Sequence, residues 1–356
     1  MSRHRKLASV QYIHDVTPIE GADAIECAHV LGWQVVTKKG EFSVGDIGVY
    51  FEIDSFLPIR PEFEFLRKSS YKKTDLMGEG FRLRTARLRG QLSQGLLLPM
   101  SILPEGEYAI GDDVTEVLGV RKFEIEERAT TGGNVKGLIP YDIPKTDELR
   151  IQSFPELVDE LRGKMYYITT KMDGTSVTMY YVDGEFGVCG HNYEYKDDGS
   201  SAFWRYAHEH DLPEKFADFA AKREDGVYRG DRIILQGEFC APGIQKNRLN
   251  LKKPEWFVFN VLFWNDDKLR WELCGLNKMQ DVTANLGVRM VPVEEAEIDF
   301  SYTAEQLLER AEGKYSSGKQ KEGIVIRPID QVPSPTTGTW MSMKVINNKY
   351  LLKGGN

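Results

Sequence analysis

A lysine stands beside an Asp-Gly turn in Lys171-Met172-Asp173-Gly174-Thr175-Ser176. That placement suits an amine that attacks the phosphorus of a nucleotide and then carries it covalently. Alone, a K-x-D-G string is a weak signal. Four more segments complete it in order: Gln236-Gly237-Glu238-Phe239, Trp256-Phe257-Val258-Phe259-Asn260, Lys321-Glu322-Gly323-Ile324-Val325-Ile326-Arg327 and Met343-Lys344-Val345. Only the neutral amine is a nucleophile, and a free lysine titrates near about 10.4. The expectation is a pocket whose cations and partial burial push the Lys171 value down. Lys344 would be one such cation.

Asp173, Glu238 and Glu322 stand at turns or strand ends beside the same candidate cleft. Three carboxylates converging on a triphosphate repel it unless a cation intervenes, so they imply Mg²⁺ or Mn²⁺. Such an ion would also absorb charge on the phosphate oxygens. On a late strand, Ser342 and Lys344 share one face, and Met341 and Met343 share the other. Lys344 is therefore expected to face a polar site. Phe257 and Phe259 alternate with Val258 and Asn260, which offers one aromatic face to stack on a purine and another set for the core.

These residues need strands to position them. Met165 to Thr170 is rich in aromatic and β-branched residues and reads as a strand that ends at Lys171. Val177–Tyr181 and Phe186–Cys189, joined by Asp183-Gly184, read as a hairpin. Ser201 through Lys222 reads as one helical block. Strands are expected again at Ile233–Phe239, Trp256–Phe263, Gly323–Arg327 and Trp340–Ile346. Thr303 to Glu312 reads as a helix with Thr303 as N-cap and Gln306 three residues on. Before residue 120 or so, short apolar segments between turn signals predict an all-β, five-stranded barrel. The expected class is α+β: an N-terminal all-β oligonucleotide-binding (OB)-like barrel, residues 1–128, followed by an antiparallel-sheet domain, residues 141–356. The Gly-rich stretch around Thr130-Thr131-Gly132-Gly133 marks a linker at 129–140.

At 356 residues the chain has room for two cores, and 41% hydrophobic with 28% charged residues is ordinary globular composition. No run of about 18 apolar residues occurs, so no membrane partner is expected. Cys27, Cys189, Cys240 and Cys274 form no C-x-x-C pair and read as reduced thiols of a cytoplasmic protein. His208 and His210 point to different faces of a helix and make no metal pair. Net charge is −8, which argues against bulk nucleic-acid binding. Residues 67–89 reverse the balance, with eight basic residues against Asp75 and Glu79. Arg82 and Arg84 are expected on one strand face, with Arg87 and Arg89 nearby, as a phosphate-tracking surface.

In this order, the segments resemble the covalent nucleotidyltransferase superfamily of ATP-dependent DNA ligases, RNA ligases and mRNA capping enzymes, over residues from about 145 to 350. More narrowly, the chain resembles the Deinococcus- and Naegleria-type RNA ligases, whose oligonucleotide-binding domain precedes the transferase domain. Pro18-Ile19-Glu20-Gly21-Ala22-Asp23, Tyr50-Phe51-Glu52-Ile53-Asp54, Leu88-Arg89-Gly90 and Pro144 to Gln152 extend the likeness to nearly the whole chain.

The resemblance implies an ATP-dependent RNA ligase for RNA repair, working through lysyl-AMP and RNA-adenylate. It would seal 3′-OH/5′-phosphate breaks, in particular nicks with an RNA 3′-OH strand, as a monomer on RNA or an RNA-containing duplex. Lys171 would carry AMP, Lys344 contact the α-phosphate, Phe259 stack on adenine and Arg150 contact ATP phosphates. Gly174 would let the backbone approach the nucleotide. Asp173, Glu238 and Glu322 would hold the metal through water. His191, beside Asn192, stands where these ligases usually carry arginine, and both are assigned to nucleotide binding; Ser342-Met343-Lys344 keeps only the second lysine of a K-x-K. The alternatives are a DNA ligase or a GTP-using capping enzyme, and, from another class, a non-catalytic nucleic-acid-binding protein.

Overall fold

The computed structural model describes residues 5–124, 132–140, 142–146, 148–222 and 228–353, with only the backbone of 228–230. Two compact units emerge: Met1–Glu126 with Leu149–Glu156 and Asn348–Asn356, and Glu127–Glu148 with Leu157–Asn347.

The first unit is built of short strands: β1 (Ala8–Pro18), β2 (Ile25–Val30), β3 (Trp33–Lys38), β4 (Ile47–Phe51), β5 (Ser55–Leu57), β6 (Tyr71–Thr74), β7 (Gly78–Arg82), β8 (Ala86–Leu88), β9 (Gln91–Ser93), β10 (Leu96–Pro99) and β11 (Arg121–Lys122). They form a five-stranded sheet of order β10-β4-β1-β2-β3, a four-stranded sheet of order β11-β5-β7-β6, and the β8–β9 hairpin. This is more than the five strands expected from the sequence. Val10, Val49, Phe51, Leu57, Phe63 and Phe81 anchor its core, and the Phe51 and Phe63 rings meet edge to face at 5.5 Å.

In the second unit, β12 (Val135–Leu138) lies where the linker was expected, and it pairs with β17. Residues 129–131 of that linker lie outside the described residues. The remaining strands are β14 (Tyr166–Lys171), β15 (Thr175–Val182), β16 (Glu185–Cys189), β17 (Tyr193–Tyr195), β18 (Tyr228–Cys240), β19 (Glu255–Asn265), β20 (Arg270–Leu273), β21 (Arg289–Met290), β22 (Val293–Glu297), β23 (Gly323–Pro328) and β24 (Met343–Ile346). The intervening β13 (Leu149–Arg150) belongs to the first unit, as does the helix Asn348–Leu352. The expected second domain of 141–356 is thus interrupted.

The large sheet of this unit runs β12-β17-β16-β15-β18-β19-β20, with β21 parallel to β19. Both faces are covered: Ile233 and Leu235 pack into one core with Phe216, Met279 and Val282, while Ile234 packs into another with Tyr180, Leu262 and Trp271. In a second sheet the order is β24-β23-β14-β22. Its β14–β23 ladder ends on the pair Lys171 and Gly323. The β15–β16 turn is closed by Asp183 and Gly184 with φ of 52° and 91°, the left-handed pair that a two-residue hairpin requires.

The single helical block expected over 201–222 is two helices, Ala202–Glu209 and Leu212–Ala221. Asp211 between them has φ 52°, and Pro213 lacks the N–H that a continuous helix would need. The helix Ala304–Ala311 starts as read from the sequence: the Thr303 hydroxyl accepts from Gln306 N at 3.3 Å, and the Gln306 side chain accepts from Thr303 N at 2.9 Å. Thr303→Ala should cost about 1 kcal/mol of stability. Urea unfolding would register this as a lower midpoint with an unchanged slope.

Candidate active site

The end of β14 and the turn after it carry Lys171, Asp173 and Gly174. Lys171 Nζ lies 2.8 Å from Glu322 Oε1. Glu322 is buried just before β23, and Glu238 enters from β18, its Oε1 accepting from Gly174 N at 3.0 Å. Gly174 has no room for a side chain, since a Cβ there would fall 2.4 Å from Phe239 O. Asp173 is buried and ion-paired with Arg248 at 2.9 Å. Arg248 went unnoticed in the sequence. Its loop carries Gln245, Asn247 and Asn250 at positive φ, and only the asparagines hinted at such a turn.

A cavity of about 200 Å³ opens here. Lys171, Glu238, Phe259, His191, Lys344, Arg327 and Glu148 are among the residues that line it. Lys344 sits opposite Val325 on the β23–β24 ladder. The alternation on that strand is as read: Met341 and Met343 are buried at 2% and 0% exposure, and Lys344 faces the cavity. Phe259 reaches the cavity through a β-bulge. Gln236 pairs with Asn260 and Gly237 with Val258, so Phe259 is the extra residue, and a bulge re-aims a side chain. Phe257 is buried among Met172, Cys240, Val291 and Tyr315.

Arg327 ties these parts together. Its Nε donates to Ser342 Oγ at 2.7 Å, Nη1 to Phe259 O at 2.7 Å and Nη2 to Glu148 Oε1 at 2.5 Å. Burial opposes its charge, but Glu148 and Tyr167 together outweigh that cost and raise the guanidinium above its ordinary value.

Other expected site residues have partners of their own. Arg150 is on β13 in the first unit, buried, and donates to Asp54 Oδ2 at 2.8 Å. Asp54 shares its carboxylate between Arg150 and Arg82, and Glu52 Oε1 stands 3.9 Å from Arg150 Nε. Asn192 is half-buried, its carbonyl accepts from Ile139 N at 3.1 Å, and it is not a lining residue. Arg82 ends β7 and is 8% exposed, against Asp54 Oδ1 at 3.4 Å and over the Phe123 ring at 4.2 Å. The expected common outer face of Arg82 and Arg84 does not exist: the strand stops at Arg82, and only Arg84, Arg87 and Arg89 are exposed.

The ionisation of Lys171 also departs from expectation. Burial works to lower its pKa, but Glu322, Glu238 and Asp173 together prevail and push it up to about 12. The carboxylates outnumber the nearby cations, so the amine is held as ammonium. Glu238 bears the same excess from the other side. Burial raises it to about 7 despite Lys171, with Glu322 adding to the rise. Among the described residues, no group of three His, Cys, Asp or Glu side chains is arranged to hold a metal directly.

Comparison with known proteins fits this geometry. The RNA ligase family model matches residues 164–346, and an OB-fold domain model matches residues 7–100. The chain belongs to the RNA ligase family. Solved structures of the Naegleria gruberi RNA ligase are similar over nearly the full length. A mutant with ATP and Mn is 36% identical with a TM-score of 0.85, covering 98% of this chain and 99% of that one. Another mutant, with AMP and Mn, is 36% identical with a TM-score of 0.86 over the same shares. The enzyme with PPi is 37% identical with a TM-score of 0.85, again over 98% and 99%. No curated protein sequence matches. This RNA ligase therefore combines an OB-fold domain, laid out as sheets and a hairpin in the first unit, with an α+β transferase domain in the second.

Glu322→Gln should lower the Lys171 pKa, because it removes the largest upward influence and leaves burial less opposed. With a small acylating reagent and peptide mapping, Lys171 in that variant should react about tenfold faster than wild type at pH 9. Equal reactivity would show that the ion pair does not set the amine's proton affinity.

Proposed function

We propose that this RNA ligase uses ATP and a divalent cation to seal 3′-OH/5′-phosphate breaks in RNA, with a nick bearing an RNA 3′-OH strand as the preferred substrate. The observation that carries the reading is one cavity lined by Lys171, Lys344 and Phe259, with Glu322 at 2.8 Å from the amine. The relatives solved with ATP and Mn, with AMP and Mn, and with PPi support the nucleotide and the ion.

In the first step, Lys171 Nζ bonds to the α-phosphorus while the bond from that phosphorus to the pyrophosphate oxygen breaks. The ammonium proton must leave before attack, and it passes to solvent. Next, the N–P bond breaks as a 5′-phosphate oxygen bonds to the same phosphorus, giving an adenylated strand end. The 3′-hydroxyl oxygen then attacks the 5′-phosphate and loses its proton to solvent, AMP leaves, and a phosphodiester remains. Lys344 would neutralise charge on the α-phosphate and Phe259 would hold the base. Arg327 would keep both in place through Ser342 and the Phe259 carbonyl.

The carboxylate set fits a cation. Burial first of all pushes Glu238 up to about 7, against the pull of Lys171, and the neighbouring Glu322 adds to the rise. A divalent ion held through water by Asp173, Glu238 and Glu322 would supply positive charge and weaken their grip on the Lys171 proton.

After incubation with ATP and Mg²⁺ or Mn²⁺, the intact protein should be heavier by one AMP, with the adduct mapped to Lys171. Lys171→Ala should gain nothing. An adduct on another residue, or none on the wild type, would refute the reading and favour a non-catalytic RNA-binding role.

Arg84, Arg87 and Arg89 are exposed, and the last two flank the exposed Leu88 on the β8–β9 hairpin. They are the surface proposed to track RNA phosphates. Changing all three to Glu should slow nick sealing at least about tenfold and flatten its salt dependence, while lysyl-AMP still forms at the wild-type rate. Normal sealing by this variant would remove the hairpin from the RNA-binding surface.

A further inference from the structure

The Tyr315 hydroxyl is bonded to both halves of the reactive ion pair through their main chains. It donates to Lys171 O at 2.8 Å and accepts from Glu322 N at 3.1 Å. The ring is 8% exposed and packs against Met172, Cys240, Phe257 and Val291. Burial first, and then the charge of Glu322, hold the phenol above its ordinary value, so it keeps the proton it donates.

A second bridge joins the residues that precede the pair. Glu294 Oε1 accepts from Thr170 Oγ1 at 2.7 Å and from Lys321 Nζ at 2.6 Å. Thr170 immediately precedes Lys171, and Lys321 immediately precedes Glu322. Glu294 is placed there by a bulge in β22: Glu295 pairs with Ile168 and Val293 with Thr169, leaving Glu294 as the extra residue. Lys321 is 5% exposed, so that carboxylate partners a buried ammonium.

The sheet does not provide this link by itself. The β14–β23 ladder ends on Lys171 and Gly323, and Glu322 lies one residue beyond the last pair. Its main chain reaches that of Lys171 through the Tyr315 oxygen. We propose that Tyr315 and Glu294 are positioning residues for adenylation, fixing Lys171 against Glu322 so that the amine reaches the α-phosphate from one defined place. This inference rests on the reading that Lys171 takes the AMP.

Tyr315→Phe removes one oxygen and leaves the Lys171 carbonyl and the Glu322 N–H without that partner. Glu294→Gln keeps an acceptor for Thr170 but removes the charge opposite Lys321. Single-turnover lysyl-AMP formation at saturating ATP should fall about tenfold to a hundredfold in each variant. The ATP concentration for half-maximal rate should stay within about twofold, and the thermal midpoint should change little in Tyr315→Phe. A wild-type rate in Tyr315→Phe would overturn the proposal. So would a loss confined to ATP affinity, or one that merely follows the folded fraction. If Tyr315→Phe does not fold, Glu294→Gln decides by the same rate and affinity criteria. A wild-type protein that forms no lysyl-AMP would instead defeat the functional reading, and the positioning role with it.

Discussion

A lysine ammonium surrounded by three carboxylates is the constraint on which this site depends. At about 4 Å two unit charges attract by about 4 kcal/mol at an effective dielectric constant near about 20, so the 2.8 Å contact of Lys171 with Glu322 is a strong local restraint. It also favours the protonated form of the amine. With Lys171 held near about 12, freeing its amine at neutral pH costs on the order of 7 kcal/mol. Positive charge brought to the carboxylates would offset that cost. Lys171 is thus held against Glu322 as an ammonium.

Departures from regular pairing do much of the positioning. Phe259 and Glu294 are each the extra residue of a bulge, on β19 and β22. In a regular strand, alternation assigns each side chain to a face and fixes its neighbours. A bulge interrupts that rule at one residue, which allows a core strand to direct a single group into the cavity or onto an adjacent ladder. Arg327 then joins the separate strands: Phe259 on β19, Ser342 before β24 and Glu148 all bond to one buried guanidinium. Movement of any one of them would leave a buried donor without its partner, an outcome costlier than the bond itself is worth.

Local pattern was the legible part of the sequence. The strand ending at Lys171, the Asp183-Gly184 turn, the Thr303 capping box and the split of Met341 and Met343 from Lys344 all follow from periodicity or turn chemistry, which act over a few residues. Pro213 was equally visible, and it breaks the helix read as continuous. The links between distant segments were not legible. Tyr315, Arg327 and Glu294 act through partners up to 179 residues away, and no local pattern specifies a register between strands. The charge balance was misjudged for a related reason. Lys171 was assigned a depressed pKa from the cations expected near it, but proton affinity follows from how many carboxylates the fold brings within reach. Likewise, Arg82 looked like a surface cation until the end of β7 turned it inward onto Asp54.

That last reversal changes how an acidic protein can hold RNA. Net charge acts at long range, and salt screens it over about 10 Å; a bound strand responds to the cations immediately beneath it. Within residues 67–89, Arg67 is paired with Glu64, Lys73 with Glu79 and Arg82 with Asp54. The local excess of positive charge is therefore smaller than the residue count suggests. Arg84, Arg87 and Arg89 stand exposed along the β8–β9 hairpin, whose turn is set by Arg89 at φ 50° and Gly90 at φ 86° and braced by Arg87 Nη1 donating to Gly90 O at 2.9 Å. The locked turn fixes the hairpin backbone and with it the spacing at which these side chains leave the chain. An overall charge of −8 opposes polyanion binding over the rest of the surface, and against it that small basic ridge stands out.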